Sequence, residues 1–278
     1  MYETYWGLSR PPFPAAIEPD AFVGCLPHQT ALLKLRYCVE SRLGAAALTG
    51  DIGSGKTTLA MQLARELPEP FGPFIHVVFP RMGPAELMAW LAVELGADEQ
   101  LLEQSGAGVE SVLRPLQDQL AAWTARGRHP VLLIDEAHLL DNSRVLETLT
   151  LLLNFRTPPG IDFTLMLVGQ TALSGILTRV PHLGNRLALS AQLRPLSHDE
   201  TVDYVSARLA AAGCDREPFA ADALATIHTL SGGLPRTIHR LCDLSLLVGY
   251  ADGLDPIRGS HVHEVAIELP QASLARAC

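Results

Sequence analysis

The chain has 278 residues, 48% of them hydrophobic and 18% charged, and its formal net charge is −9. The hydrophobic fraction is too high for a disordered chain, and no apolar run reaches the roughly 18–20 residues that a membrane-spanning helix needs. The acidic balance argues against a protein that binds nucleic acid by bulk electrostatics. The absence of a secretion signal at the start and of any Cys-x-x-Cys pair predicts a cytoplasmic protein without direct membrane insertion.

Residues 45–195 alternate between short apolar runs and longer helical patterns. The apolar runs lack polar alternation, which is typical of parallel strands buried on both faces. We therefore predict an α/β fold with a parallel five-stranded sheet. The predicted strands span residues 45–48, 75–79, 131–134 and 165–168, with 187–193 as the candidate for the fifth. The predicted helices span residues 57–67, 84–95, 109–125 and 143–155, and residues 96–108 are expected to form a surface loop.

Apolar residues recur at helical spacing after Pro195, as in Val202, Val205 and Leu209, which predicts a small all-helical unit. The segment from Ser231 to Arg236 contains two glycines and a proline, so we expect it to end one helix and begin the next. These patterns divide the chain into an N-terminal arm and helix that pack on the core (residues 1–44), the α/β core (45–195) and a helical lid (196–278).

A glycine-rich motif lies between the first predicted strand and the following helix. It matches the phosphate-loop pattern Gly-x-x-x-x-Gly-Lys-Ser/Thr in the context that this pattern needs, and a chance glycine-rich turn would rarely match it. Its glycines let backbone N–H groups turn toward phosphates, Lys56 would neutralise the β- and γ-phosphates, and the Thr57 hydroxyl would bind Mg²⁺. The predicted ATP-binding residues are Gly50, Asp51, Ile52, Gly53, Ser54, Gly55, Lys56, Thr57 and Thr58.

Two carboxylates follow the apolar run 131–134. Asp135 would join Thr57 in binding Mg²⁺, and Glu136 would orient and polarise the attacking water. An ordinary strand end is the alternative for this pattern, but its place downstream of a phosphate loop favours the functional interpretation. Residues 135–138 (Asp-Glu-Ala-His) also match the motif of one helicase group. Such a helicase needs two motor cores, which a chain of 278 residues with one phosphate loop cannot supply. His138 is therefore interpreted as a turn residue. A GTPase is disfavoured because the chain contains no Asn-Lys-x-Asp motif.

Three polar residues further along the chain are candidates for sensing the γ-phosphate. Gln170 ends an apolar strand and can hydrogen-bond the γ-phosphate or the water, although an ordinary strand-exit glutamine remains the alternative. Arg186 precedes the last predicted strand and can serve a neighbouring subunit as an arginine finger. Two alternatives remain: Arg179 is the finger instead, or Arg186 is an ordinary solvated surface arginine. Arg236 lies at a rigid helix start from which it can reach a phosphate, and Arg240 lies one turn further on.

The motifs together resemble the AAA+ ATPases of the general secretion pathway protein A family. The resemblance rests on the phosphate loop, Leu-Leu-Ile-Asp-Glu-Ala-His, Leu-Val-Gly-Gln, the Arg186 segment and Gly-Gly-Leu-Pro-Arg, and the Tyr5–Phe13 and Arg194–Thr201 segments extend it over nearly the whole chain. It implies an ATPase core with a helical lid, Gln170 as sensor 1, Arg186 as a finger acting in trans and Arg236 as sensor 2. It also implies a homo-oligomer with ATP sites at subunit interfaces. The Tyr5–Phe13 segment either lies against adenine or is a packing arm.

Members of this family that assemble secretins carry a membrane helix and a periplasmic region after the ATPase, and this sequence has neither, so it looks more like the stand-alone relatives of pilus, exopolysaccharide or protein-sorting systems. Three functions remain open at this point. The first is an ATP-hydrolysing switch or motor that drives assembly of a secretion, pilus or envelope polysaccharide system, recruited to the inner membrane by a protein partner. The second is a DNA-binding transposition helper ATPase, a sister group that the acidic charge disfavours. The third is a nucleotide-binding structural subunit, which the Asp135-Glu136 pair disfavours.

Overall fold

The computed structural model describes residues 1–14, 22–78, 80–104, 108–140, 143–156 and 160–269. Its contacts divide the chain into two units. We call the first the helical unit (residues 1–30, 51–58 and 193–278) and the second the sheet unit (residues 31–50 and 59–192).

A five-stranded sheet with the strand order β2-β3-β4-β1-β5 forms the centre of the sheet unit. The β1–β4, β3–β4 and β2–β3 pairs are parallel, and the α/β fold with a parallel sheet is confirmed. Strands β1, β3 and β4 are buried at every residue, as the unbroken apolar runs predict. The strands are β1 (Ala45–Gly50), β2 (Phe74–Val77), β3 (Val131–Ile134), β4 (Thr164–Gly169) and β5 (Leu189–Leu193). Phe79, at the end of one predicted strand, lies outside the described residues.

The register of the sheet places the ends of three strands at one edge. Thr49 in β1 pairs with Gly169 in β4, and Ile134 in β3 pairs with Leu167 in β4. Because parallel strands end at the same edge of a sheet, the residues that follow β3 and β4 lie at the edge where β1 ends. This edge is where open α/β sheets bind ligands.

Helices bury their apolar residues in the core of the sheet unit, where Leu87, Leu91, Leu116 and Leu120 are fully buried. The expectation of a loop over 96–108 is wrong for residues 99–104, which form a short helix that buries Leu102 in this core. The helices in the first two thirds of the chain are α1 (Glu3–Trp6), α2 (Leu26–Glu40), α3 (Lys56–Glu66), α4 (Pro84–Glu94), α5 (Glu99–Gln104), α6 (Val109–Ala125), α7 (Ser143–Leu152), α8 (Ala172–Arg179) and α9 (Pro181–Gly184), with 3-10 turns at Ala137–Leu139 and Leu153–Arg156.

The last four helices enclose the hydrophobic core of the helical unit. A break between two of them occurs as predicted: α11 ends at Ser231, Gly232 adopts a left-handed conformation, and Pro235 occupies the first turn of α12. Within the described ranges, no helix combines the length and apolar character that crossing a bilayer requires. These helices are α10 (His198–Ala211), α11 (Ala221–Ser231), α12 (Pro235–Ala251) and α13 (Gly259–Glu268).

Residues 1–30 belong to the helical unit and residues 31–44 to the sheet unit, whereas all of residues 1–44 were expected to pack on the α/β core. Trp6 is fully buried in the core of the helical unit, and its Nε1 donates a hydrogen bond to the Leu246 carbonyl in α12 (2.9 Å). Phe13 is 3% exposed in the same core. Burial of these aromatic rings stabilises the arm in this position, because their large apolar area is removed from water.

Candidate nucleotide-binding site

The glycine-rich loop joins β1 to α3 and has the backbone conformation of an anion cradle. Gly53 and Gly55 have φ angles of +80° and +93°, which residues with a Cβ rarely adopt. The loop is closed by a hydrogen bond from the Ser54 N–H to the Asp51 carbonyl (3.2 Å), and α3 begins directly after it, at Lys56. A glycine loop that enters a helix N-terminus offers backbone N–H groups and the positive end of the helix dipole to an anion.

Two side chains in the loop fit a bound phosphate. Lys56 is only 7% exposed, and its ammonium group folds back to donate a hydrogen bond to the Asp51 carbonyl (2.9 Å). The Ser54 hydroxyl oxygen is buried and has no hydrogen-bond partner among the described residues. A buried polar group without a partner is rare, so this hydroxyl is suited to a ligand oxygen. These features fit the phosphates of ATP.

The loop is held by two groups within the helical unit. The backbone N–H of Arg236, in the first turn of α12, donates to the Gly53 carbonyl (3.1 Å). The His28 imidazole on α2 contacts the Ser54 carbonyl through Nε2 (2.8 Å). The side chain of Arg236 is exposed. A Cβ on Gly53 would lie 2.8 Å from the Arg236 Cβ, so glycine is also required there by close packing.

In the sheet unit, Asp135 is a buried carboxylate directly after β3 and is 3% exposed. Its backbone N–H donates to the Val77 carbonyl in β2 (2.9 Å), which extends the strand pairing by one residue. One carboxylate oxygen accepts the Glu136 N–H (2.8 Å), and the other lies 3.4 Å from the His76 Nε2. These contacts fix the orientation of a carboxylate that is suited to Mg²⁺.

Glu136 has a strained backbone. Its φ of 50° and ψ of 32° lie in the left-handed region, which non-glycine residues visit at a cost of roughly 1–3 kcal/mol. Its carboxylate lies 3.3 Å from the His138 Nδ1, and the same nitrogen is 3.4 Å from the Gln170 N–H after β4. A Cβ on Gly169 would lie 3.0 Å from the His138 backbone N, so the end of β4 packs closely on the 3-10 turn. The structure therefore brings together Glu136 and Gln170, with His138 between them.

The two candidate finger arginines are both exposed. Arg186 donates a hydrogen bond to the Asn154 side chain, and Arg179 donates to the Gly175 carbonyl within its own helix (3.3 Å). The choice between Arg186 and Arg179 stays a prediction.

For the arm that contains Tyr5 and Phe13, the buried positions of Trp6 and Phe13 favour the packing role over contact with adenine.

Three histidines near these motifs were not predicted to have a role there, namely His28, His76 and His138 as a contact of Glu136. His28 and His76 are single histidines outside the motifs, and His138 ends one of the motifs but was interpreted only as a turn residue. The contacts of all three depend on how α2, β2 and the 3-10 turn fold.

A parallel sheet, a glycine loop that enters a helix after β1 and a carboxylate pair after β3, which β4 separates from β1, define the phosphate-loop NTPase class. Residues 39–177 match the family described as "AAA domain", and because this match spans half of the 278 residues, the chain belongs to the AAA domain family.

The chain is also 36% identical over 264 residues to general secretion pathway protein A of Aeromonas hydrophila, which confirms the predicted resemblance. That match covers 94% of this chain and 46% of the relative, so the chain spans about half the length of this curated protein. An uncharacterized HTH-type transcriptional regulator, MJ0774 of Methanocaldococcus jannaschii, is 32% identical over 139 residues, which are 48% of this chain and 34% of the regulator.

Solved structures share the fold. Cdc6p from Pyrobaculum aerophilum has a TM-score of 0.69 and 19% identity, over 92% of this chain and 69% of that one. The RuvB branch migration motor of Thermotoga maritima has a TM-score of 0.61 and 22% identity, over 96% and 76%. At these identities the similarity shows the fold alone.

Proposed function

We propose that the chain binds ATP with Mg²⁺ at the loop 50–57 and hydrolyses it to ADP and phosphate. The single observation that carries this proposal is the glycine cradle. Gly53 and Gly55 have positive φ angles at the entrance to α3, and the buried Ser54 hydroxyl between them has no hydrogen-bond partner in the part of the chain that the structure describes. Membership of the AAA domain family supports the same reaction.

The proposed mechanism is in-line attack of water on the γ-phosphate. Glu136 orients and polarises the water, and its strained backbone fits a residue whose position is set by function. Lys56 and the Arg186 of a neighbouring subunit stabilise the negative charge of the transition state. Gln170 and Arg236 contact the γ-phosphate and couple its loss to movement of the helical lid.

The Thr57 hydroxyl and the Asp135 carboxylate would hold Mg²⁺, which when bound neutralises charge on the phosphates. Asp135 suits this role because His76 and the Glu136 N–H orient its two oxygens, and a carboxylate fixed in this way loses little entropy when it binds an ion.

The biological role that we propose is a nucleotide-dependent switch or motor in the assembly of a secretion, pilus or envelope polysaccharide system. It is supported by the similarity to general secretion pathway protein A over 94% of this chain. We further propose that the protein is a cytoplasmic homo-oligomer with ATP sites at subunit interfaces, recruited to the inner membrane by a protein partner. The alternative role is that of a DNA-binding transposition helper, which the net charge of −9 disfavours.

The experiment that tests the reaction uses two variants, each with a matched control. Lys56→Ala should abolish nucleotide binding or turnover, whereas Lys34→Ala, which removes the other lysine of the chain from an exposed position, should behave like the wild type. Glu136→Gln should bind ATP but hydrolyse it at least a hundredfold more slowly, since general-base contributions are about 10²–10⁴-fold. Glu147→Gln, an exposed carboxylate on α7, is its control.

Binding is measured by titration calorimetry and turnover by phosphate release. Near-normal hydrolysis by Glu136→Gln would refute the role of Glu136, and no binding of ATP with Mg²⁺ by the wild type would refute the proposed function. ATP-dependent retention on duplex DNA with a steep dependence on salt would favour the transposition role instead.

A further inference from the structure

A buried histidine contacts the phosphate loop from outside the known motifs. His28 lies in the first turn of α2 and is 5% exposed. Its Nε2 is 2.8 Å from the Ser54 carbonyl oxygen, and its Nδ1 is 2.7 Å from the Cys25 sulfur. All three residues belong to the helical unit.

The partners of the two ring nitrogens define the tautomer of His28. A carbonyl oxygen only accepts hydrogen bonds, so Nε2 carries the ring proton and donates a hydrogen bond to the Ser54 carbonyl oxygen. In the neutral ring Nδ1 is then an acceptor, and the Cys25 thiol donates to it. The Ser54 carbonyl therefore sets the tautomer, and the Cys25 thiol supports it as a donor to Nδ1.

The electrostatic surroundings keep both groups neutral. Burial lowers the pKa of His28, an effect that the Ser54 carbonyl and the more distant Glu200 carboxylate oppose. Burial likewise raises the pKa of the Cys25 thiol to about 11. The charged groups that act on Cys25 are Glu200 and Arg194, which pair with each other. A neutral imidazole and a protonated thiol are therefore the forms present near pH 7.

The hydrogen bond to Ser54 has a consequence for the next residue. The peptide bond between Ser54 and Gly55 is trans and planar, so its C=O and N–H groups point in opposite directions. When His28 holds the Ser54 carbonyl, the Gly55 N–H points away from the imidazole. The packing is close, because a Cβ on Gly55 would lie 2.8 Å from the His28 Nε2.

We propose that His28 is a positioning residue of the nucleotide site. Its neutral imidazole fixes the Ser54–Gly55 peptide so that the Gly55 N–H is directed at a phosphate oxygen, and Cys25 supports it by donating a hydrogen bond to Nδ1 of the Nε2–H tautomer. This inference rests on the proposed function, since it assigns the ligand of the Gly55 N–H to a phosphate of ATP. Preorganised donors of this kind increase affinity because the loop is not ordered anew when the ligand binds.

The test measures the dissociation constant of ADP with Mg²⁺ by calorimetry for the full chain. His28→Leu keeps the bulk but loses the donor, and we expect about tenfold weaker binding, the usual effect of one lost hydrogen bond. His28→Gln offers an amide N–H in place of Nε2–H and should stay within about threefold of the wild type. Cys25→Ser keeps a donor to Nδ1 and should bind more tightly than Cys25→Ala.

The matched control is His239→Leu, which removes a half-buried imidazole of the helical unit. His239 stacks on the Tyr204 ring and is hydrogen-bonded to its hydroxyl (2.7 Å). His239→Leu should lower thermal stability but change the dissociation constant by less than twofold. Equal weakening by His28→Leu and His239→Leu would assign a merely structural role to His28 and overturn the inference.

A second measurement does not depend on the variants. The ¹⁵N chemical shifts of the wild-type histidine rings should show His28 as the Nε2–H tautomer, and an Nδ1–H tautomer would overturn the inference even if the leucine variant failed to fold. Equal binding by the wild type and His28→Leu would refute only the inference, whereas no binding by the wild type would refute the proposed function and the inference together.

Discussion

Replacing Gly53 by alanine perturbs the phosphate loop in two ways, through its backbone conformation and through a steric clash with α12. The φ of +80° is unfavourable for any residue with a Cβ, and the new Cβ would lie 2.8 Å from the Arg236 Cβ. That atom is attached to the backbone of α12, so no side-chain rotation relieves the clash. The first turn of α12 must move, which breaks the hydrogen bond from the Arg236 N–H to the Gly53 carbonyl (3.1 Å).

The loss in the free energy of unfolding is the sum of the conformational cost and the cost of the lost hydrogen bond. The left-handed conformation costs roughly 1–2 kcal/mol and the lost hydrogen bond roughly 0.5–1.5 kcal/mol, so Gly53→Ala should destabilise the protein by roughly 1.5–3.5 kcal/mol. Gly253→Ala is the matched control, because Gly253 has a φ of +65° and nothing within 4 Å of the added Cβ. Gly253→Ala should lower the free energy of unfolding only by the cost of the left-handed conformation, roughly 1–2 kcal/mol.

The assay is urea unfolding followed by circular dichroism, combined with the dissociation constant of ADP with Mg²⁺. We expect Gly53→Ala to be less stable than Gly253→Ala and to bind the nucleotide more weakly, since the loop is displaced. Equal stability of the two variants together with unchanged affinity would refute the reasoning, because it would mean that the loop and α12 do not constrain each other.

Two further predictions concern the arginines. Arg186→Ala should lose ATPase activity alone and regain it when mixed with Lys56→Ala. The Lys56→Ala subunit keeps its Arg186 and supplies this finger in trans to the intact nucleotide site of an Arg186→Ala subunit. If only an Arg179→Ala mixture shows this rescue, the finger is Arg179. A second prediction concerns pH: the side-chain hydrogen bond from Arg194 lowers the pKa of Glu200 from 4.5 to about 2. The stability from this pair is therefore fully present above pH 4.5 and is lost as the pH falls through about 2. Arg194→Met should melt at a lower temperature than the wild type at pH 7, with a difference that shrinks toward pH 2, and a difference independent of pH would contradict this assignment.

Much of the secondary structure in both units was predictable from local patterns. The strand Val131–Ile134 and the helix Val109–Ala125 have the predicted bounds, and the start of α12 at Pro235 follows from the Gly-Gly-Leu-Pro sequence. These predictions succeed because buried parallel strands, amphipathic helices and glycine–proline breaks leave periodic or local signals. The helix Glu99–Gln104 was missed because a short polar segment carries almost no such signal.

Other features depend on contacts between residues that are distant in the sequence. The N-terminal arm packs in the helical unit because Trp6 and Phe13 find their apolar surroundings there, and nothing in residues 1–14 specifies that partner. The approach of His138 to Glu136 and Gln170 likewise requires the register of β3 and β4.

Local sequence patterns predict three features of the candidate site: a glycine loop before a helix, a carboxylate pair after a buried strand and a break before Arg236. Local signals suffice for these because backbone freedom at glycine, restriction at proline and hydrophobic periodicity act within a few residues. The strand order β2-β3-β4-β1-β5 and the contact of His28 with the Ser54 carbonyl follow instead from contacts between distant parts of the chain. Those depend on which buried surfaces pack together, and that is a property of the whole chain.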